Sequence, residues 1–209
     1  PLAREGWGEG ISAPDATGSP QPGGTMHGMS APFPDGNDRY PFCPKCGARF
    51  ERAVRAGRER LVCPACAFVF WQNPNAGVAA IVIEDGAVLL TRRGGSERAG
   101  LWDLPGGFVE YDEDIREALI REMREETGLV IEVGRVYDVR SNFFPGTGRH
   151  SVGVWFLARR VGGTLTAADD AIDARFFDLD ALPSDAEIAF ETDRAVLASL
   201  RVERPTYRA

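Results

Sequence analysis

At 209 residues, 44% hydrophobic and 26% charged, the chain can bury one substantial core and a small satellite module. Its formal charge of -7 argues against nonspecific duplex binding, whose affinity comes from many Lys and Arg contacts to phosphate. No apolar run approaches the ~18 to 20 residues of a transmembrane helix, and the start lacks the basic and apolar regions of a signal peptide, so no membrane partner and a cytoplasmic location are expected.

Residues 1–40 are crowded with Gly, Pro, Ser and Asp and have no apolar periodicity. Such a segment cannot offset its ordering entropy by burial and is expected to be disordered. The chain opens on Pro1, and Met26 or Met29 is a candidate natural start. Residues 41–74 carry the cysteines among short β-prone pieces, and residues 75–209 read as an α/β domain beginning just past Pro74. There, Ala79–Ile83 and Ala87–Leu90 read as strands joined through Asp85-Gly86, a pair suited to a tight hairpin turn. A glycine-rich loop and short strand follow at Leu104–Val109, then a helix over Ile115–Thr127 and a strand over Leu129–Val139. Strands at Val152–Arg159 and Arg175–Asp178 and a helix over Ala189–Leu200 complete the pattern, with no repeat of solenoid length.

Cys43-Pro-Lys-Cys46 and Cys63-Pro-Ala-Cys66 are two CxxC pairs sixteen residues apart. Each pair can present two thiolates to one tetrahedral Zn2+, closed by a hairpin between them; four buried free cysteines would not require this spacing. Four thiolates leave no open position for water, so the zinc is expected to be structural. Lys45, Arg49, Arg52, Arg55, Arg58 and Arg60 face only Glu51 and Glu59 in this stretch. That local basicity either steers a phosphate-bearing ligand, which leaves a nucleic-acid contact open at the ribbon, or offsets the charge of a zinc tetrathiolate.

The densest chemical signal is GFVEYDEDIREALIREMREETGL, from Gly107 to Leu129. At about 100° per residue, Glu122, Glu125 and Glu126 share one narrow sector of the helix, a crowding of like charge relieved by a divalent cation. Mg2+ favours carboxylate oxygens and completes its shell with waters and substrate phosphates. Ile115, Ala118, Leu119 and Met123 form the opposite, sheet-facing stripe. Asp114 with Glu117 resembles a capping box, and Gly128 suits the left-handed stop. The bland alternative is a solvated acidic face.

Gly107, Glu113, Arg121, Glu122, Met123, Glu125, Glu126, Gly128 and Leu129 match every fixed position of the Nudix box. The chain therefore resembles a Nudix hydrolase, and the cysteine module ahead of it resembles the zinc ribbon of NADH, ADP-ribose and FAD pyrophosphatases. The likeness spans Cys43 to about Leu200. It implies an α/β/α sandwich around a mixed sheet, preceded by a small four-cysteine zinc ribbon. It also implies Mg2+, or Mn2+ in its place, on Glu122 and Glu126, with Glu125 as ligand or base and the Gly106 carbonyl joining them. Glu113 and Arg121 would orient these carboxylates. The chemistry implied is attack of a metal-activated water on one phosphorus of a diphosphate.

NADH-cleaving relatives carry a Ser-Gln-Pro-Trp-Pro-Phe-Pro run after the box, whereas this chain reads Arg140-Ser-Asn-Phe-Phe-Pro-Gly146. Trp71-Gln72-Asn73-Pro74 is closer to the ADP-ribose and FAD type, so these nucleotides are expected ahead of NADH. Phe143, Phe144 and Trp155 are candidates to stack on a base, or core residues. Asp169, Asp170 and Asp173 are candidate loop acids, and His150 either meets phosphate or is solvated. Rival readings are a nonenzymatic ADP-ribose-sensing regulator, and an enzyme of nucleoside triphosphates or RNA caps. A homodimer is left open, with the ribbon as one surface for it.

Overall fold

The computed structural model describes residues 40–95, 98–144 and 147–205. The segment expected to be disordered, with Met26 and Met29, lies outside the described residues except for Tyr40, as do Pro145 and Gly146.

Strands β1 (Glu51–Arg55) and β2 (Arg58–Val62) form the ribbon hairpin, and β3 (Val69–Phe70) adds to β2. Ala56 and Gly57 both take positive φ, 48° and 72°, in a two-residue turn whose twist matches that of the flanking strands. The ribbon core is small: Phe50, Leu61, Cys43 and Cys63 are buried, with Phe68 and Phe70 packed against them. A core this small needs a further cross-link to be stable.

In the main domain, β4 (Asn75–Glu84) and β5 (Ala87–Arg93) meet at the expected hairpin, Asp85 and Gly86 having φ 48° and 82°. There follow β6 (Trp102–Asp103), α1 (Ile115–Thr127), β7 (Leu129–Phe144), β8 (Arg149–Gly163), β9 (Ala171–Asp178) and α2 (Glu191–Glu203). The sheet order is β6-β5-β4-β8-β7, with β9 on β5. β4 pairs with β8 in parallel and every other pairing is antiparallel, so the sheet is mixed. Alternation along β4 separates two cores. Ala79 and Ile81 pack with Val196, Leu197 and Leu200 of α2, while Val78, Ala80 and Val82 pack with Ala118, Leu119 and Met123 of α1. A helix on each face makes the α/β/α sandwich. Truncating Leu119 or Met123, both fully buried, to Ala would cost about 2 to 5 kcal/mol.

Besides longer bounds for β8 and β9 than expected and an α2 that starts at Glu191 and ends at Glu203, three local readings change. The short strand expected within Leu104–Val109 is Trp102–Asp103, and Pro105, Gly107 and Val109 bond individually to the edge of β4. Strand β7 continues past Val139 to Phe144; beyond Val139 its residues are mostly polar, but Arg140 to Phe144 still pair with β8. Backbone pairing there needs no apolar alternation, so hydrophobic periodicity did not reveal it. The start of α1 is capped more simply than a capping box, with the Asp114 side chain accepting from Arg116 N at 2.8 Å, one position short of Glu117. Gly128 ends the helix at φ 67°, donating to Arg124 O, as expected.

Candidate active site

Helix α1 buries Ala118, Leu119 and Met123 and thereby turns Glu122, Glu125 and Glu126 toward an open cavity of about 410 Å3. Glu126 lies deepest. Its Oε2 accepts from Gly106 N at 3.0 Å, and burial, reinforced by the nearby Asp103 charge, pushes its carboxyl up to about 8. Burial also raises the Glu122 carboxyl, opposed by Arg121. Arg121 ties the group together. Its Nε and Nη2 donate to the two oxygens of Glu113 at 2.8 and 2.9 Å, and its Nη1 donates to Glu122 Oε1 at 2.8 Å and Glu125 Oε2 at 3.0 Å. This fork holds Glu113 below the usual carboxylate range.

Two glycines make room for these contacts. A Cβ on Gly106, at φ +151°, would meet Val78 O at 2.1 Å, and one on Gly107 would meet the Glu122 carboxyl group at 2.4 Å. The Gly107 and Pro105 carbonyls accept from Val78 N and Ala80 N. The Gly106 carbonyl between them takes no donor among the described residues. Gly106, Glu122, Glu125 and Glu126 thus line one cavity and offer oxygen atoms suited to a hard cation.

The substrate candidates divide. Phe144 and Asp170 line this cavity, as do Asp169 and Trp155. Phe143 lies outside it, 48% exposed and stacked on His150 at 4.3 Å between centroids, and the Asp173 side chain pairs with Arg175. Sequence reasoning missed a buried polar group beside the glutamates. Asp103 accepts from Thr91 Oγ1 at 2.8 Å and Arg93 Nη1 at 2.7 Å. Asp193, in the first turn of α2, accepts from Trp155 Nε1 at 3.1 Å and Leu104 N at 3.4 Å. Burial, then the Asp103 charge, raises Asp193 to about 7. No motif marks these residues, because their burial follows from tertiary packing alone.

In the ribbon, the four Sγ atoms lie within 4.8 Å of one another, with Cys43–Cys66 at 3.7 Å and Cys46–Cys63 at 3.4 Å. A tetrahedral zinc with ~2.3 Å bonds spaces its sulfurs by about 3.8 Å, whereas a disulfide needs about 2 Å. The two knuckles fold alike: Gly47 N donates to Cys43 O and Ala67 N to Cys63 O, each at 2.9 Å, with Gly47 and Ala67 at positive φ. The thiolate set fits a structural zinc.

Residues 73–200 match the family model described as NUDIX domain, and residues 41–72 match the zinc-ribbon model described as Nudix N-terminal. The chain belongs to the Nudix family. The chain is similar to an ADP-ribose pyrophosphatase from Methanocaldococcus jannaschii, 36% identical over 62% of this chain and 75% of that protein. An NAD-capped RNA hydrolase NudC from Pseudomonas aeruginosa is 34% identical over 68% of this chain and 49% of its own length. The chain thus spans about half the length of its NudC relatives. Among solved structures, a NUDIX hydrolase from Nitrosomonas europaea superposes with a TM-score of 0.70 at 27% identity, over 81% of this chain and 97% of that one. Among the described residues no helix is long and apolar enough to cross a membrane.

Proposed function

We propose that this Nudix protein is a Mg2+-dependent pyrophosphohydrolase that cleaves the diphosphate linkage of a nucleoside diphosphate derivative, ADP-ribose or FAD ahead of NADH. The observation that carries the proposal is the half-buried Glu126 carboxylate, bonded to Gly106 N in the same cavity as Glu122 and Glu125. Glu122, Glu125, Glu126 and the Gly106 carbonyl would hold the metal. Bound there, Mg2+ would polarise the diphosphate and lower the pKa of water. Arg121, anchored on Glu113, keeps Glu122 and Glu125 oriented. Glu125, with the most exposed of the carboxylates that Arg121 bonds, would accept the proton of the attacking water. The new P–O bond forms as the anhydride P–O bond breaks, and the leaving phosphate monoester takes the electron pair.

The substrate preference rests on the ADP-ribose pyrophosphatase among the relatives and on the aromatic wall of Phe144, Phe190 and Trp155 in the cavity, which suits a base. Thiolate ligands persist in reducing surroundings, which favours the cytoplasm as its compartment. The test is a screen with Mg2+ in which the products are identified: ADP-ribose, FAD, NADH, nucleoside triphosphates and NAD-capped RNA. AMP and ribose 5-phosphate from ADP-ribose, or AMP and FMN from FAD, are expected. A protein that turns over triphosphates alone would overturn the substrate assignment, and one that turns over nothing would overturn the activity.

A further inference from the structure

Beside the catalytic cavity lies a second one of about 640 Å3 that the reaction above does not use. Asn142 and Phe144 line both cavities and so form their common wall. The second cavity differs in charge. Among the described residues, Arg98, Arg140 and Arg194 line it against a single acid, Glu191. Arg98 and Arg194 donate only to the neutral carbonyls of Ala189 and Asp185, and among the described residues neither forms an ion pair. Arg140 pairs with Asp138 at 2.6 Å. The wall is firm, because Thr192 Oγ1 of α2 donates to Asn142 Oδ1 of β7 at 3.0 Å.

Half-buried guanidinium groups without carboxylate partners, in a protein of net charge -7, leave a local positive field in an otherwise acidic molecule. Guanidinium matches phosphate oxygens in geometry as well as charge. Because Phe144 and Asn142 line both cavities, a nucleotide in the first that reaches this wall lies one side chain away from the second.

We propose that the Arg98–Arg140–Arg194 cavity binds a further phosphate on the nucleotide substrate, a phosphate ester on the ribose hydroxyls beyond the diphosphate that is cleaved. The inference rests on the nucleotide-diphosphate reading of the first cavity. The phosphate comes from one of two sources: a 2′-phosphate of a small nucleotide, or the 3′-phosphate at which an RNA strand continues.

The test compares kcat/KM for ADP-ribose with that for ADP-ribose phosphorylated at the adenosine 2′ or 3′ position, using the full chain with Mg2+. Wild type is expected to prefer one phosphorylated form by about tenfold, the size of one charge-assisted hydrogen bond partly screened by water. Which form is preferred tells the two sources apart. In R140Q/R194Q the ratio should fall to about one while plain ADP-ribose turnover and the melting temperature hold, and R194K should keep most of the preference. The preference should also shrink as salt rises. A wild-type ratio near one, or a preference that survives in R140Q/R194Q, overturns the proposal and leaves the catalytic reading standing. If ADP-ribose itself is not cleaved, its assignment as substrate fails. Equilibrium binding of the same three nucleotides then decides this cavity by the same ratios.

Discussion

The ribbon and helix α1 each gather acidic ligand atoms, but they hold them differently. The four thiol sulfurs converge within 4.8 Å of one another, on two knuckles fixed by matched backbone hydrogen bonds. The three glutamates are shared out: Gly106 N takes Glu126, and Arg121 takes Glu122 and Glu125. Among the described residues the thiols alone form a ligand set that tight. A metal that only holds a fold together needs every ligand closed on it, whereas one that works on substrate needs space for water and phosphate. Arg121 holds Glu122 and Glu125 on one nitrogen, Nη1, and offsets part of their charge, while Glu126 is held separately by Gly106 N.

Breaking the ribbon should have the largest effect. Structural zinc contributes on the order of 10 kcal/mol to small modules, so Cys63→Ser should lose the metal and unfold the ribbon while the α/β/α core stays folded. Metal analysis and hydrogen exchange resolved by segment would show it. Zinc retained at one per chain in this variant would contradict the assignment.

The glycine pair separates fold from chemistry at the second site. Gly106→Ala drives its Cβ into the Val78 backbone, and a loss of several kcal/mol is expected in denaturant melts. The nearest atoms that Gly107→Ala meets are those at the end of the Glu122 side chain, which can swing away. Its stability should drop by less than about 1 kcal/mol, while activity falls about 100-fold as the carboxylate is displaced.

Much of this second site was legible in advance. The helix kept its expected bounds, Ile115–Thr127, because apolar spacing and the Gly128 stop both mark them in the sequence. The Asp85-Gly86 hairpin turn follows from local chemistry, whereas Ala56, at positive φ in the ribbon turn, carries no such mark. By contrast, Asp103, Asp193 and Arg93 are polar residues whose burial depends on strands and a helix far apart in the chain. Phe143 and Phe144, adjacent on β7, face different surroundings, and only the register of β7 on β8 determines which one enters the catalytic cavity.

Acidity offers a subtler contrast. Glu126 and Asp193 have folded-state pKa values of about 8 and 7, above the ~4 of unfolded carboxyls. The folded state therefore holds more protons than the unfolded state between these limits, and stability falls as pH rises from about 4 through 8. Without metal, the melting temperature of the α/β/α core should be higher at pH 5.5 than at pH 8, and Mg2+ should narrow the gap. A rise with pH in metal-free protein would contradict the burial of these acids. The smallest effect belongs to the ribbon. Ala67 occupies at φ 60° the place that Gly47 fills in the other knuckle, so Ala67→Gly should raise ribbon stability by up to about 1 kcal/mol, seen as slower amide exchange.

The most direct measurement is ADP-ribose hydrolysis by Glu126→Gln, which keeps the size of the side chain and an acceptor for Gly106 N but removes the charge. A loss of at least about 1,000-fold in kcat at saturating Mg2+ is expected, with an unchanged zinc content and a cooperative melt at or above the wild-type temperature. Turnover within a few-fold of wild type would contradict the claim that this carboxylate face carries the chemistry.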